Sequence, residues 1–120
     1  MDGDAFARRW RDDWNRRDLD SLLDHFAEDV IFTSPVAAQV VPGSGGRIIG
    51  KPALRAYWTE GLRRRPDLHF TIDHVFVGVD VLVIQYRNQA GGRVSEVLQF
   101  RDGLVAAGHG AYATPPLDPS

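Results

Sequence analysis

Phe6, Trp10 and Trp14 recur at every fourth position, while Arg8, Arg9, Arg11 and Asp12 fall mostly elsewhere. That spacing puts three aromatic rings on one helical stripe and predicts a helix over about residues 4–16, with Asp4 as its N-cap. Asp18 restarts the pattern as a second, short helix burying Leu19, Leu22, Leu23 and Phe26. The β-branched and aromatic run Val30-Ile31-Phe32-Thr33, closed by Pro35, reads as a short strand. Residues 42–50, rich in glycine, read as a flexible loop with two apolar anchors. Pro52 suits the first turn of a third helix, in which Leu54, Tyr57, Trp58 and Leu62 share a face and after which Pro66 stops the chain.

From Leu68 the period changes to two. Strands are expected over 68–78, 81–89, 93–101 and 104–113, separated by Val79-Asp80, Gly91-Gly92 and Asp102-Gly103. The last two of these breaks carry hairpin chemistry. Helices first and an antiparallel meander afterwards define an α+β fold, with the helices on one face of the sheet. Val81-Leu82-Val83-Ile84 is apolar on both strand faces and so needs cover on both. The helices cover only the concave side, so a second copy of the chain is expected on the convex side, giving a homodimer.

At 120 residues the chain has the size of one domain, expected over 1–113, with a loose tail over 114–120. It contains no cysteine, so disulfides and thiolate metal ligands are excluded. A formal net charge of −2 argues against an electrostatic nucleic-acid binder. The basic run Arg63-Arg64-Arg65 suits the C-terminal end of a helix instead. The acidic start Met1-Asp2-Gly3-Asp4 lacks the pattern of a secretory signal, and no apolar run approaches the ~20 residues of a membrane span. A cytoplasmic protein that neither spans membranes nor binds nucleic acid is expected. His25, His69, His74 and His109 have no metal-ligand spacing, so no metal and no cofactor is expected. Gly45 to Lys51 reads G-x-x-x-x-G-K, but Pro52 stands where a phosphate-binding loop has Ser or Thr, so the stretch is read as a loop and a helix start.

Three strings resemble one superfamily. Trp14-Asn15-Arg16-Arg17-Asp18-Leu19-Asp20-Ser21-Leu22, followed by His25-Phe26-Ala27-Glu28-Asp29-Val30, resembles the opening of nuclear-transport-factor-2-like (SnoaL-like) domains. Gly50-Lys51-Pro52-Ala53-Leu54-Arg55 resembles the start of their third helix, and Phe100-Arg101-Asp102-Gly103-Leu104-Val105 their closing hairpin. The resemblance implies a cone-shaped roll: three N-terminal helices packed on the concave face of a strongly curved, mostly antiparallel sheet. It does not imply one activity, because the superfamily mixes isomerases, cyclases, hydrolases, dehydratases and non-enzymatic modules. Ketosteroid isomerases of this layout use an aspartate base, a tyrosine and a protonated aspartate. Carried across by position, these fall on Ser34, Trp10 and Glu96. Ser34 cannot take a proton unaided and an indole is a poorer donor than a phenol, so that mechanism is not expected here.

The same resemblance turns the faces Leu82, Ile84, Tyr86, Asn88 and Val94, Glu96, Leu98, Phe100 toward the helices. In the last strand Gly108, Gly110 and Tyr112 share that face, the glycines leaving room. The expected small-molecule pocket is therefore aromatic, with Trp10, Trp14, Tyr57, Trp58, Tyr86 and Tyr112, and has Ser34, Asn88 and Glu96 as polar members. Glu96, buried beside aromatics, is the candidate catalytic acid. His69 and His109 have the opposite parity, whereas His74 reaches the pocket only if no bulge intervenes.

Overall fold

The computed structural model describes residues 1–115. Helix α1 (Gly3–Arg16) has its N-cap two residues earlier than the periodicity suggests: Asp2, not Asp4, is the N-cap, its carboxylate accepting from the Ala5 N–H at 3.0 Å. Arg17 ends it in the left-handed conformation, and Asp18 then caps α2 (Leu19–Leu23) through the Ser21 N–H. Strand β1 (Phe26–Thr33) is twice the length of its apolar run, because Phe26 already pairs with the last strand. Two elements follow that the periodicity does not predict, the second of them inside the stretch 42–50 expected to be loop. Ser34 caps a short helix α3 (Pro35–Val40), and β2 (Arg47–Ile49) pairs antiparallel with the end of β1. Of the two apolar anchors expected in this loop, Ile48 is buried and Ile49 is exposed.

Helix α4 (Lys51–Arg64) carries Pro52 in its first turn and buries Leu54, Tyr57 and Trp58. At the phosphate-loop look-alike, Lys51 is paired instead with Glu28 at 3.4 Å. The meander is β3 (Thr71–Gly78), β4 (Val81–Arg87), β5 (Arg93–Arg101) and β6 (Leu104–Tyr112). All three connections are hairpins, including the one at Val79-Asp80. The six strands form one curved sheet in the order β2-β1-β6-β5-β4-β3, with β1–β6 the single parallel pair among the described residues. The α+β architecture and the three expected helices are present, with α3 added. The tail expected over 114–120 lies mostly outside the described residues.

Strand parity decides which side chains meet the helices. Leu82, Ile84 and Tyr86 of β4 and Val94, Glu96 and Leu98 of β5 all turn inward and are buried. On β6 the same face holds Gly108 and Gly110, where a side chain would be crowded. A methyl group at Gly108 would sit 3.0 Å from the Phe32 ring, and one at Gly110 would sit 3.3 Å from Glu96 Oε1 and 3.6 Å from Ser34 Oγ. In β3 the register slips between Ile72 and His74, and the extra residue reverses parity. His74 is exposed as a result and lies outside the pocket that unbroken parity would have given it. Among the described residues no helix is long and apolar enough to cross a membrane.

Candidate functional site

Between the helices and the concave face lies a cavity of about 590 Å³, within the usual range for a small-molecule pocket. Aromatic rings make its walls. Trp10 stacks on Phe70 at 5.5 Å and meets Tyr86 edge-on at 5.1 Å, while Trp14 meets Trp58 edge-on at 4.9 Å. Tyr57 and Tyr112 also line it. Besides Tyr112, which is 40% exposed at the end of the last strand, the exposed members of the lining, Gln39, Arg64, Arg65, Asp67 and Ala90, mark the mouth. They come from α3, the C-terminal end of α4, the segment before β3, and the β4–β5 turn.

Glu96 lies on the cavity wall with 5% of its surface exposed. Its cross-strand neighbours are Ile84 and Gly110. Among the described residues its carboxyl has no ion-pair partner, and Arg93, the cation nearest in sequence, is exposed on the opposite strand face. Burial without a compensating charge pushes its pKa up to about 8, so the neutral acid dominates at pH 7. Three phenols surround it electrostatically. Burial raises Tyr57 to about 12 and Tyr86 well above its ordinary value, and raises Tyr112 as well, with Glu96 adding to each shift. At neutral pH the polar interior therefore consists of uncharged donors.

The remaining expected residues have more definite structural duties. Ser34 is buried but does not form the cavity wall. Its hydroxyl accepts from the Val36 N–H at 3.1 Å as the α3 cap and lies beside the Tyr57 and Tyr112 phenols, where hydrogen bonding offsets part of their upward shift. Asn88 lines the cavity, yet its amide oxygen builds the β4–β5 turn by accepting from Ala90 N–H at 3.1 Å and Gly92 N–H at 2.9 Å. The Trp10 and Trp14 indole N–H groups are enclosed without an acceptor. Outside the cavity, His109 Nδ1 lies 2.7 Å from the Thr33 hydroxyl.

Residues not anticipated from sequence shape the mouth. The Asn15 amide holds both backbone groups of Phe70, donating to its carbonyl at 3.1 Å and accepting from its N–H at 2.8 Å. Arg17 donates to the carbonyls of Pro66 and Leu68. Together they clamp residues 66–70 against α1, which sets Phe70 between the tryptophans and Tyr86. Asn15 was visible as part of the Trp14-Asn15 string, but its partner is 55 residues away. Beneath the clamp, the fully buried Asp13 is held by Arg16 at 2.9 Å and the Ser21 hydroxyl at 3.0 Å, a structural role. Among the described residues no group of three or more His, Cys, Asp or Glu could hold a metal ion.

A curved sheet, a helical cover and an aromatic cavity with one buried acid define a class of α+β roll proteins built around a pocket. The SnoaL-like domain family matches residues 7–108, and the chain belongs to that family. It is 39% identical to a SnoaL-like protein from Burkholderia thailandensis E264, covering 93% of this chain and 94% of that one with a TM-score of 0.87. More distant likenesses show the fold alone. An NTF2-like protein from Mesorhizobium loti is 22% identical, with a TM-score of 0.72 over 93% of this chain and 91% of that one. TerC, crystallised with polyporic acid, is 13% identical, with a TM-score of 0.76 over 92% and 91%. No curated protein matches the chain.

Proposed function

We propose that the protein binds a small, largely apolar carbonyl compound, with the carbonyl oxygen received by neutral Glu96 and the carboxyl acting as proton carrier. The single observation that carries this reading is the Glu96 carboxyl, buried without a cation on an aromatic cavity wall. A neutral acid in a low-dielectric site donates a hydrogen bond to a ketone and stabilises the oxyanion of its enolate, while solvent water entering through the mouth takes the α-proton and returns a solvent proton on reketonisation. Tyr86 is a candidate to orient the same oxygen, since it lines the cavity and its phenol also remains protonated. The likeness to TerC, crystallised with polyporic acid, is consistent with such a ligand.

Hydrogen–deuterium exchange at the α-carbon of 2-tetralone, followed by NMR, tests the reading. The wild-type protein should accelerate exchange, and Glu96→Gln should remove about 10²-fold or more of that acceleration while the circular dichroism spectrum is unchanged. Equal acceleration by both proteins would exclude Glu96 from the chemistry. A second reading, a binder that does no chemistry, is favoured by the absence of a second carboxyl among the described cavity residues inside the mouth. It predicts that 2-tetralone binds without accelerated exchange.

The convex face supports the homodimer. Phe76 is 51% exposed and Ile49 65% exposed on either edge of a surface that also carries half-buried Val81, Val83 and Val97. Sedimentation equilibrium should give twice the chain mass, and Val83→Lys with Val97→Lys should shift it to the single mass. A wild-type monomer at 100 µM would remove the dimer.

A further inference from the structure

The mouth has a chemistry of its own. Arg64, Arg65 and Asp67 are the charged groups that line it. Arg64 is engaged, its Nε donating to Glu60 Oε1 at 2.8 Å, and Arg63 binds the same carboxylate at 2.6 Å. Arg17, behind the rim, is committed to backbone carbonyls. Among the described residues Arg65 has no acidic partner, and it lines the same cavity as Asn88 and Gln89. The Gln89 amide oxygen is itself enclosed without a donor, so this part of the rim holds unused hydrogen-bonding capacity. With two arginines against Asp67, and one carboxylate shared between Arg63 and Arg64, the rim carries a net positive charge. The interior carries none in its neutral form.

From this polarity we infer that the ligand is two-ended: an apolar body with a neutral oxygen at the inner end and an anionic group, such as a carboxylate, that Arg65 receives at the mouth. This rests on the carbonyl-binding reading and adds the class and direction of the ligand. The reverse orientation would drive an anion into a dry wall of rings beside Glu96, whereas at the mouth it keeps part of its hydration and gains a guanidinium. Arg65 is also the C-cap of α4, where a cation suits the negative end of the helix. That role needs no ligand and predicts no discrimination between anionic and neutral ligands.

The test compares 4′-acetylbiphenyl-4-carboxylate with its primary amide, using calorimetry and quenching of the tryptophans that line the cavity. The carboxylate should bind the wild-type protein about threefold to fivefold more tightly than the amide at low salt, the range of a partly exposed ion pair. Arg65→Gln should erase that preference, bringing the carboxylate and the amide to equal affinity, and 0.5 M salt should weaken the preference of the wild-type protein. Equal affinities, or a preference that survives in Arg65→Gln, would overturn the two-ended ligand and leave the carbonyl pocket standing. Failure of both compounds to bind would overturn the carbonyl pocket and the two-ended ligand together.

Discussion

Between pH 5 and pH 9 the wild-type protein should lose stability that its Glu96→Gln variant keeps, by roughly 3–5 kcal/mol. The sign follows from where the proton is bound. Unfolded, Glu96 titrates near 4.5, and folded it titrates at about 8. In the window between them the native state holds a proton that the unfolded chain has released. Stability from this group is thus complete below the unfolded value and falls with rising pH until the folded value is passed. The phenols of Tyr57, Tyr86 and Tyr112 are shifted upward and do not titrate in this window. His25 is shifted downward, mainly by burial, so its contribution runs the other way. It is common to both proteins and cancels in the difference. Urea unfolding at pH 5, 7 and 9 measures that difference, and parallel profiles for the two proteins would show that the carboxyl is solvated in the folded state.

Trp58→Ala should be the more damaging change at neutral pH, at about 3–5 kcal/mol. The indole meets Trp14, Phe26 and Phe32 edge-on, at 4.9, 5.4 and 5.5 Å. It therefore ties α4 to α1 and β1 while one part of it faces the cavity. Removing it deletes buried aromatic surface and leaves a hole beside an existing one, where collapse is limited by the packed rings around it. The check is the urea midpoint at constant slope. A loss below about 1 kcal/mol would mean that Trp58 is a free-standing ligand platform and not part of the core.

These two residues illustrate how much of the site could be read in advance. Glu96 was identifiable because the alternation of β5 groups it with Val94 and Leu98, and the family resemblance turned that face toward the helices. Trp58 was identifiable because it shares a helical stripe with Leu54 and Tyr57. His74 shows the limit of the same rule. One inserted residue in β3 reverses every side chain beyond it, and nothing in Thr71 to Phe76 announces the slip. Asn88 had the correct location, but its amide is used by a turn whose hydrogen bonds depend on Gly92. Ser34 was placed by its position before Pro35, whereas its duty as a helix cap requires α3, a helix too short for periodicity to reveal.

By itself the sequence determined the helical stripes, the strand faces, the hairpin breaks and the aromatic character of the interior, because each depends on residues within a turn or two of one another. Only the tertiary structure decided the parallel β1–β6 pairing, the Asn15–Phe70 clamp and the composition of the mouth. These join segments tens of residues apart, and their geometry comes from closing the sheet around the helices. Local periodicity determines which face a side chain takes, but not which distant segment that face will meet.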